Sequence, residues 1–173
     1  MQNHFELFRL PAEFTIDRPS LDKAYKEIQS LVHPDRFVTA TEAEKRTAMQ
    51  WAAMANDAYH ILRNPIKRAA YLCELNGVNL QAETHVTMDP EFLMQQMEWR
   101  ELLENAREEK NIARLEKLDK EQRILRSEQM SIVEKHLADR QFDKAAQDIR
   151  KMMFLEKFNE EISLAFDELD SIN

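Results

Sequence analysis

QSLVHPDRF, residues 29–37, closes an amphipathic segment with the tripeptide His33–Pro34–Asp35. Before it, apolar residues recur at spacings of three and four, the pattern of a helix with one buried face. These residues are Leu21, Ala24, Tyr25, Ile28, Leu31 and Val32. Pro34 disfavours the α conformation at His33, so we expect the helix to end there. The stretch therefore predicts a long helix followed by a short polar tip.

The segment after this tip carries the signals of two further helices. Thr41 followed by Glu44 is a capping box, which predicts a helix that begins at this point. Asn64–Pro65 ends that helix and begins another, because Asn caps a helix well and Pro suits its first position. The second of these helices ends at Asn76–Gly77, the single glycine of the chain and a suitable left-handed cap.

The composition is that of an all-α protein. One glycine and five prolines occur in 173 residues, whereas residues that favour helices are abundant. The 24 basic and 32 acidic side chains give a net charge of −8, which argues against the basic face of a nucleic-acid binder. No apolar run approaches the roughly 18 residues of a membrane span, and residues 1–4 do not resemble a signal peptide. We therefore expect a cytoplasmic protein with no nucleic-acid or membrane partner.

The sequence predicts no catalytic residue, metal site or cofactor. A catalytic His–Asp pair needs a nucleophile or a metal beside it, and the chain has no HExxH, glycine-rich phosphate loop or nucleophile elbow. Cys73 is the single cysteine, whereas the usual iron–sulfur sites use four. No ligand spacing is present among the other histidines, which are His4, His60, His85 and His136. We expect a protein that is not an enzyme.

Two interpretations of the tripeptide remain, an ordinary helix-end turn and a docking tip. Pro and Asp are common turn residues, and the tripeptide is expected by chance in about 1 per cent of chains of this length. Its position favours docking, because the preceding helix directs Lys23 and Lys26 away from its apolar face. A capping box then opens the next helix.

The charge and the helical pattern both divide the chain. Residues 1–75 are net neutral, and the whole negative excess lies in residues 76–173. Residues 78–88 lack a helical period and are predicted to form a linker between a first domain, residues 1–77, and a second, residues 89–173. In the second, Asp89–Pro90 begins a helix, and breaks near Lys110–Asn111 and Asp139–Gln141 predict a three-helix bundle.

The first helix of this bundle has too many apolar residues for a single buried stripe. They are Phe92, Leu93, Met94, Met97, Trp99, Leu102 and Leu103. We expect some of them to be exposed, and exposed apolar clusters mark partner sites. The alternative is that all of them belong to the core of a tightly packed bundle.

Residues 1–75 resemble the J domain of the DnaJ type. The resemblance rests on the HPD tripeptide between two long helices, the first of which has a basic face. It implies docking on a DnaK-type chaperone ATPase through His33, Pro34, Asp35, Lys23 and Lys26. The glycine-rich tract and zinc-binding cysteines of a general J protein are not found in this sequence.

Nearly the whole chain resembles the HscB family of bacterial iron–sulfur cluster assembly. The stretches that carry this likeness are HFELFRLPAEFTID (4–17), NPIKRAAYLCELNGV (64–78), DPEFLMQQMEWRELLENA (89–106) and IRKMMFLEKF (149–158). The resemblance implies a patch on the bundle that holds the scaffold protein IscU, formed by Leu93, Met94, Met97, Glu98, Glu101 and Phe154. Three residues depart from the family pattern: Arg9 replaces a frequent glycine, Met97 a common leucine and Asn105 an acidic residue.

The two resemblances together imply a co-chaperone that binds an IscU-like scaffold through its bundle. The HPD tip would then stimulate the ATPase of a DnaK-type chaperone such as HscA, while the chain itself holds no cofactor. Two alternatives remain, a J protein with a different client and a helical adaptor with no chaperone link. Stimulation of a DnaK-type ATPase that rises when the scaffold is present would separate the three.

Overall fold

The computed structural model describes residues 2–80 and 88–171, and the chain divides into two compact units, Met1–Asn76 and Gly77–Asn173. All regular elements within the described residues are helical, so the all-α prediction is confirmed. Residues 81–87, most of the predicted linker, and His85 within it lie outside the described residues.

Four α-helices and a 3-10 turn form the first unit within residues 2–76: α1 His4–Leu7, α2 Arg18–Leu31, the turn Pro34–Phe37, α3 Glu42–Arg63 and α4 Pro65–Leu75. Helices α2 and α3 pack against each other, and α1 and α4 pack against α3. The side chains of this unit that are fully buried include Phe5, Leu21, Leu62 and Cys73. The expectation that Cys73 is buried as a small apolar residue is confirmed.

Local side-chain bonds set the helix ends of this unit as the sequence predicts. Thr41 and Glu44 form a reciprocal capping box at the start of α3, and the backbone hydrogen bond from Thr41 lowers the pKa of Glu44. The Asn64 side chain accepts hydrogen bonds from two backbone N–H groups in the first turn of α4. Gly77 has a φ of 85°, the left-handed conformation expected after α4.

In the first unit, three residues whose helical spacing predicts burial lie at the surface instead of in the core. Leu31 in the last turn of α2 is 60% exposed, Trp51 on α3 is 41% exposed, and Leu75 at the end of α4 is 40% exposed. The periodicity identifies the correct face of each helix but overestimates its buried width, because the neighbouring helices of this small unit do not extend over the whole stripe.

The second unit is the predicted three-helix bundle. Within residues 88–171 its helices are α5 Pro90–Glu108, α6 Ile112–Ala138 and α7 Phe142–Asp170, joined by the short turns expected near residues 110 and 140. Helix α7 supplies much of the core, with buried residues at helical spacing that include Phe158, Ile162 and Ala165. Residues of α5 and α6 complete this core.

Two ion pairs define how α5 lies against α7. Arg100 binds Glu161 at 3.0 Å, and Arg107 binds both carboxylate oxygens of Glu168 at 2.8 and 2.9 Å. The hydrogen bonds that Arg107 donates to Glu168 raise the pKa of Arg107. Both pairs join residues 61 positions apart, so α5 and α7 run parallel at a constant register. Helix α6 therefore runs antiparallel to both, as the short connections require.

Basic residues replace glycine at three helix ends. Arg9, Lys110 and Arg140 have φ values of 55°, 51° and 56°. After each helix, the N–H of the next residue bonds a carbonyl five positions earlier, as in Asn111 N–H to Ala106 O at 2.9 Å. This is the Schellman pattern, whose left-handed position is usually glycine. A chain with one glycine thus accepts backbone strain at these turns, partly offset by a positive charge near each helix C-terminus.

We expect Lys110→Gly to stabilise the bundle. Glycine relieves the strain of the left-handed conformation, but it also gives the unfolded chain more conformational entropy. The net effect should be a rise of about 0.5–1 kcal/mol in the free energy of unfolding. Urea unfolding followed by the fluorescence of Trp99, in a Trp51→Phe background, measures the change. Lys110→Ala keeps the Cβ atom and should gain nothing. An equal gain in both variants would contradict backbone strain at Lys110, because alanine keeps the Cβ atom that causes it.

Candidate partner-binding surfaces

The tip His33–Pro34–Asp35 is ordered by its own backbone. His33 has a ψ of 135°, outside the α region as predicted, and it is the cap residue of the 3-10 turn. The Asp35 N–H donates to His33 Nδ1 at 3.3 Å. The side chains of His33 and Asp35 remain 59% and 89% exposed, so their outer edges are available to a partner.

Helix α2 presents the two predicted lysines to solvent. Lys23 and Lys26 are exposed, and no carboxylate lies within ion-pair distance of either one in the described part of the chain. The nearby Asp22 accepts a hydrogen bond from the Tyr59 hydroxyl at 2.8 Å, which raises the pKa of Tyr59. This bond directs the Asp22 carboxylate toward α3, while Lys23, Lys26 and Glu27 remain exposed along α2.

The basic face and the tip form one continuous surface. A shallow groove along α2 includes Lys23, Lys26 and Leu31, and a second groove beside the tip includes His33 and Asp35. Ser30 lines both grooves. The structure thus brings together all five residues predicted for chaperone docking. It adds the exposed Leu31, which sequence reasoning assigned to the core.

Most of the predicted scaffold patch lies on one exposed face of α5. Leu93, Met94 and Met97 are 45%, 64% and 72% exposed, and Glu98 and Glu101 beside them are also exposed. Phe92 and Leu103 of the same helix are buried, as expected if only some of its apolar residues are exposed. The alternative that all of them belong to the core is therefore wrong.

Phe154 differs from the rest of the predicted patch because it packs inside an aromatic cluster. Its ring meets Phe92 edge-on with centroids 5.7 Å apart and stacks with Phe158 at 6.1 Å and Trp99 at 6.5 Å. The Arg100 guanidinium lies over the same ring at 5.8 Å. Phe154 is therefore half-buried and supports α5 on α7. Sequence reasoning missed this role of Arg100, which only the register between α5 and α7 reveals.

No group of three or more His, Cys, Asp or Glu side chains suited to a metal ion occurs within residues 2–80 and 88–171. His136 bonds the Asp148 carboxylate between α6 and α7. In the same described ranges, every helix is too short or too polar to cross a membrane.

Comparisons with known proteins place this geometry in a family. A family model described as the HSCB C-terminal oligomerisation domain matches residues 88–163. A co-chaperone protein HscB homolog from Burkholderia thailandensis is 48% identical over 168 residues, which cover 97% of this chain and 96% of the relative. The chain belongs to the HscB family of co-chaperones.

Solved structures of HscB proteins have the same fold. Chaperone HscB from Vibrio cholerae matches with a TM-score of 0.87 and 36% identity, covering 97% of this chain and 99% of that one. The human co-chaperone HscB matches with a TM-score of 0.88 and 28% identity, covering 95% and 82%. The predicted architecture of a J domain followed by a helical bundle is therefore confirmed. These relatives are named as chaperone or co-chaperone proteins.

Two alanine substitutions should separate the exposed from the supporting part of the HscB patch. Phe154→Ala removes a ring from the aromatic cluster and should lower the free energy of unfolding by about 1–3 kcal/mol, less than a fully buried phenylalanine would cost. Leu93→Ala should change it by less than about 1 kcal/mol, because the side chain is largely exposed. Thermal unfolding followed by circular dichroism measures both. A Phe154→Ala variant that melts with the wild type would contradict the supporting role.

Proposed function

We propose that this chain delivers an IscU-like iron–sulfur scaffold to a DnaK-type chaperone of the HscA kind in the cytoplasm and stimulates its ATPase. The observation that carries the proposal is the pairing of two surfaces within one HscB-family chain. An ordered HPD tip adjoins the exposed Lys23 and Lys26 in the first unit, and an exposed apolar patch beside carboxylates lies on α5. Each surface suits a different protein partner.

The first surface has the properties of a docking site for the ATPase. Pro34 stiffens the tip, which lowers the entropy lost on binding. The exposed carboxylate of Asp35 can accept charge-assisted hydrogen bonds from an arginine of the partner. Lys23 and Lys26, free of internal ion pairs among the described residues, would steer encounter with an acidic groove. We propose His33, Pro34, Asp35, Lys23 and Lys26 as this docking site, in a J domain of residues 1–77.

The second surface has the properties of a client site. Leu93, Met94 and Met97 provide exposed apolar side chains of the size that anchors an interface. Glu98 and Glu101 provide charges that favour a partner with basic residues around an apolar centre. Phe154 contributes the edge of its ring and holds the helix beneath the patch. We propose that the bundle, residues 89–173, binds the scaffold here.

The proposal assigns the ATP chemistry to the partner. The chain biases the conformation of that chaperone, and we propose no catalytic residue, cofactor or metal ligand within it. A J protein with a different client would use the same tip and a different partner at the patch. A helical adaptor without a chaperone link would leave the exposed, ordered tip without a role.

We expect His33→Gln to abolish stimulation of the chaperone ATPase and to leave scaffold affinity unchanged, because the tip belongs to the first unit and the patch to the second. Steady-state ATP turnover by an HscA-type chaperone, with and without the scaffold, measures the first effect, and calorimetric titration measures the second. His60→Gln changes another exposed histidine of the same unit and should stimulate normally. Full stimulation by His33→Gln would refute the docking site.

The double substitution Leu93→Ala with Met94→Ala should weaken scaffold binding by about 2–4 kcal/mol, on the order of 30- to 1000-fold, without unfolding the bundle. Glu98→Ala or Glu101→Ala should cost less, and the loss should shrink at high salt because exposed charges are screened. Leu164→Ala removes an equally apolar exposed side chain from α7 and serves as the control. A folded double variant that binds normally would place the client elsewhere.

A further inference from the structure

The methionines of the second unit differ sharply in their exposure. Met97 and Met94 are 72% and 64% exposed, whereas Met152 on α7 is buried at 4%. Met97 and Met94 are the two most exposed large apolar residues in the described part of the bundle. The two lie three positions apart on α5, so their thioethers share one helix face. The proposed client site thus presents two accessible sulfur atoms at its centre.

Peroxides oxidise the sulfur of an exposed methionine, whereas a leucine at the same position has no sulfur to oxidise. Hydrogen peroxide supplies the oxidant in a two-electron step. The sulfur attacks one peroxide oxygen, and an S–O bond forms as the O–O bond breaks. The second oxygen leaves as hydroxide and takes the proton of the transferred oxygen, so that water is released. The product is methionine sulfoxide, and methionine sulfoxide reductases reverse the reaction.

We propose that Met94 and Met97 form an oxidative modification site that controls client binding. This inference rests on the proposed function, because it assigns a regulation to the same α5 patch. Oxidation turns a flexible apolar side chain into a polar one, so two sulfoxides would place polar groups where the client needs an apolar surface. The charges of Glu98 and Glu101 stay the same, and the change acts on apolar contact alone.

The exposed location also means that the switch leaves the fold intact. Neither methionine belongs to the buried core, and the contacts that hold α5 come from other residues. These contacts are the aromatic cluster around Phe154 and the ion pairs from Arg100 and Arg107. Oxidation at Met94 and Met97 therefore removes binding and keeps the helix in place.

The chain contains a matched control for this proposal. Met49 on α3 is 70% exposed, as accessible as the patch methionines, but it lies in the first unit. Met54 on the same helix is also exposed. Peroxide should oxidise these two as well, and this should have no effect on the client.

The test treats the full-length chain with hydrogen peroxide, removes the peroxide with catalase and gel filtration, and titrates the metal-free IscU-type scaffold by calorimetry. Peptide mass spectrometry reads the oxidation of each methionine, and circular dichroism checks the fold. We expect wild type to lose affinity on the order of tenfold or more after oxidation. Peroxide treatment should leave the affinity of the Met94→Leu, Met97→Leu variant at that variant's own untreated value. The Met49→Leu, Met54→Leu variant should lose affinity on treatment as wild type does. Treatment with sulfoxide reductases should restore binding.

The contrary results separate this inference from the proposed function. Unchanged affinity of wild type whose Met94 and Met97 are fully oxidised overturns the inference. An equal loss in the Met94→Leu, Met97→Leu variant does so too. In either case the client site stands if untreated Leu93→Ala with Met94→Ala weakens binding. Untreated binding that survives those two alanines overturns the client site and this inference together.

Discussion

Pro34 disfavours the α conformation at His33, and the path of the chain between α2 and α3 depends on this steric restriction. At a ψ of 135° the chain leaves the axis of α2, and the 3-10 turn that follows leads it into α3, which packs against α2. This pairing stacks Tyr25 on Tyr59 with ring centroids 4.0 Å apart. The restriction at His33 therefore ends α2, allows α3 to pack against it, and leaves the polar edges of the tip exposed beside the basic face.

The bundle solves the same problem of reversing direction without proline or glycine. Lys110 and Arg140 adopt the left-handed conformation at its two turns, so helix packing over-determines positions that local preference disfavours. The register between α5 and α7 then follows from Arg100 and Arg107, each bound to a carboxylate 61 positions further on. Because this register fixes the rotation of α5, it decides which of its apolar residues face the aromatic cluster and which face solvent.

Features set by local chemistry could be predicted from the sequence, whereas features set by distant contacts could not. Caps such as Thr41–Glu44 and Asn64 depend on residues within one turn, and the all-helical class depends on composition. The positions of Leu31 and Trp51 depend on how far other helices extend, which periodicity does not encode. Phe154 was predicted as part of the patch through family resemblance, but its half-buried state depends on partners across the bundle. The roles of both surfaces stay predictions, because they depend on molecules outside the chain.

Because the bundle is packed unequally, hydrogen exchange should reveal whether the α5 patch is occupied by a ligand. Helices α6 and α7 contact each other far more extensively than either contacts α5. The elements of a fold with the fewest packing contacts open locally at the lowest free energy. We therefore expect α5 to open at a lower free energy than the α6–α7 hairpin. A ligand that binds only the docked helix raises that opening energy by mass action. The protection of amide hydrogens along α5 would then rise and fall with the filling of the patch, while the hairpin beneath it would exchange at an unchanged rate.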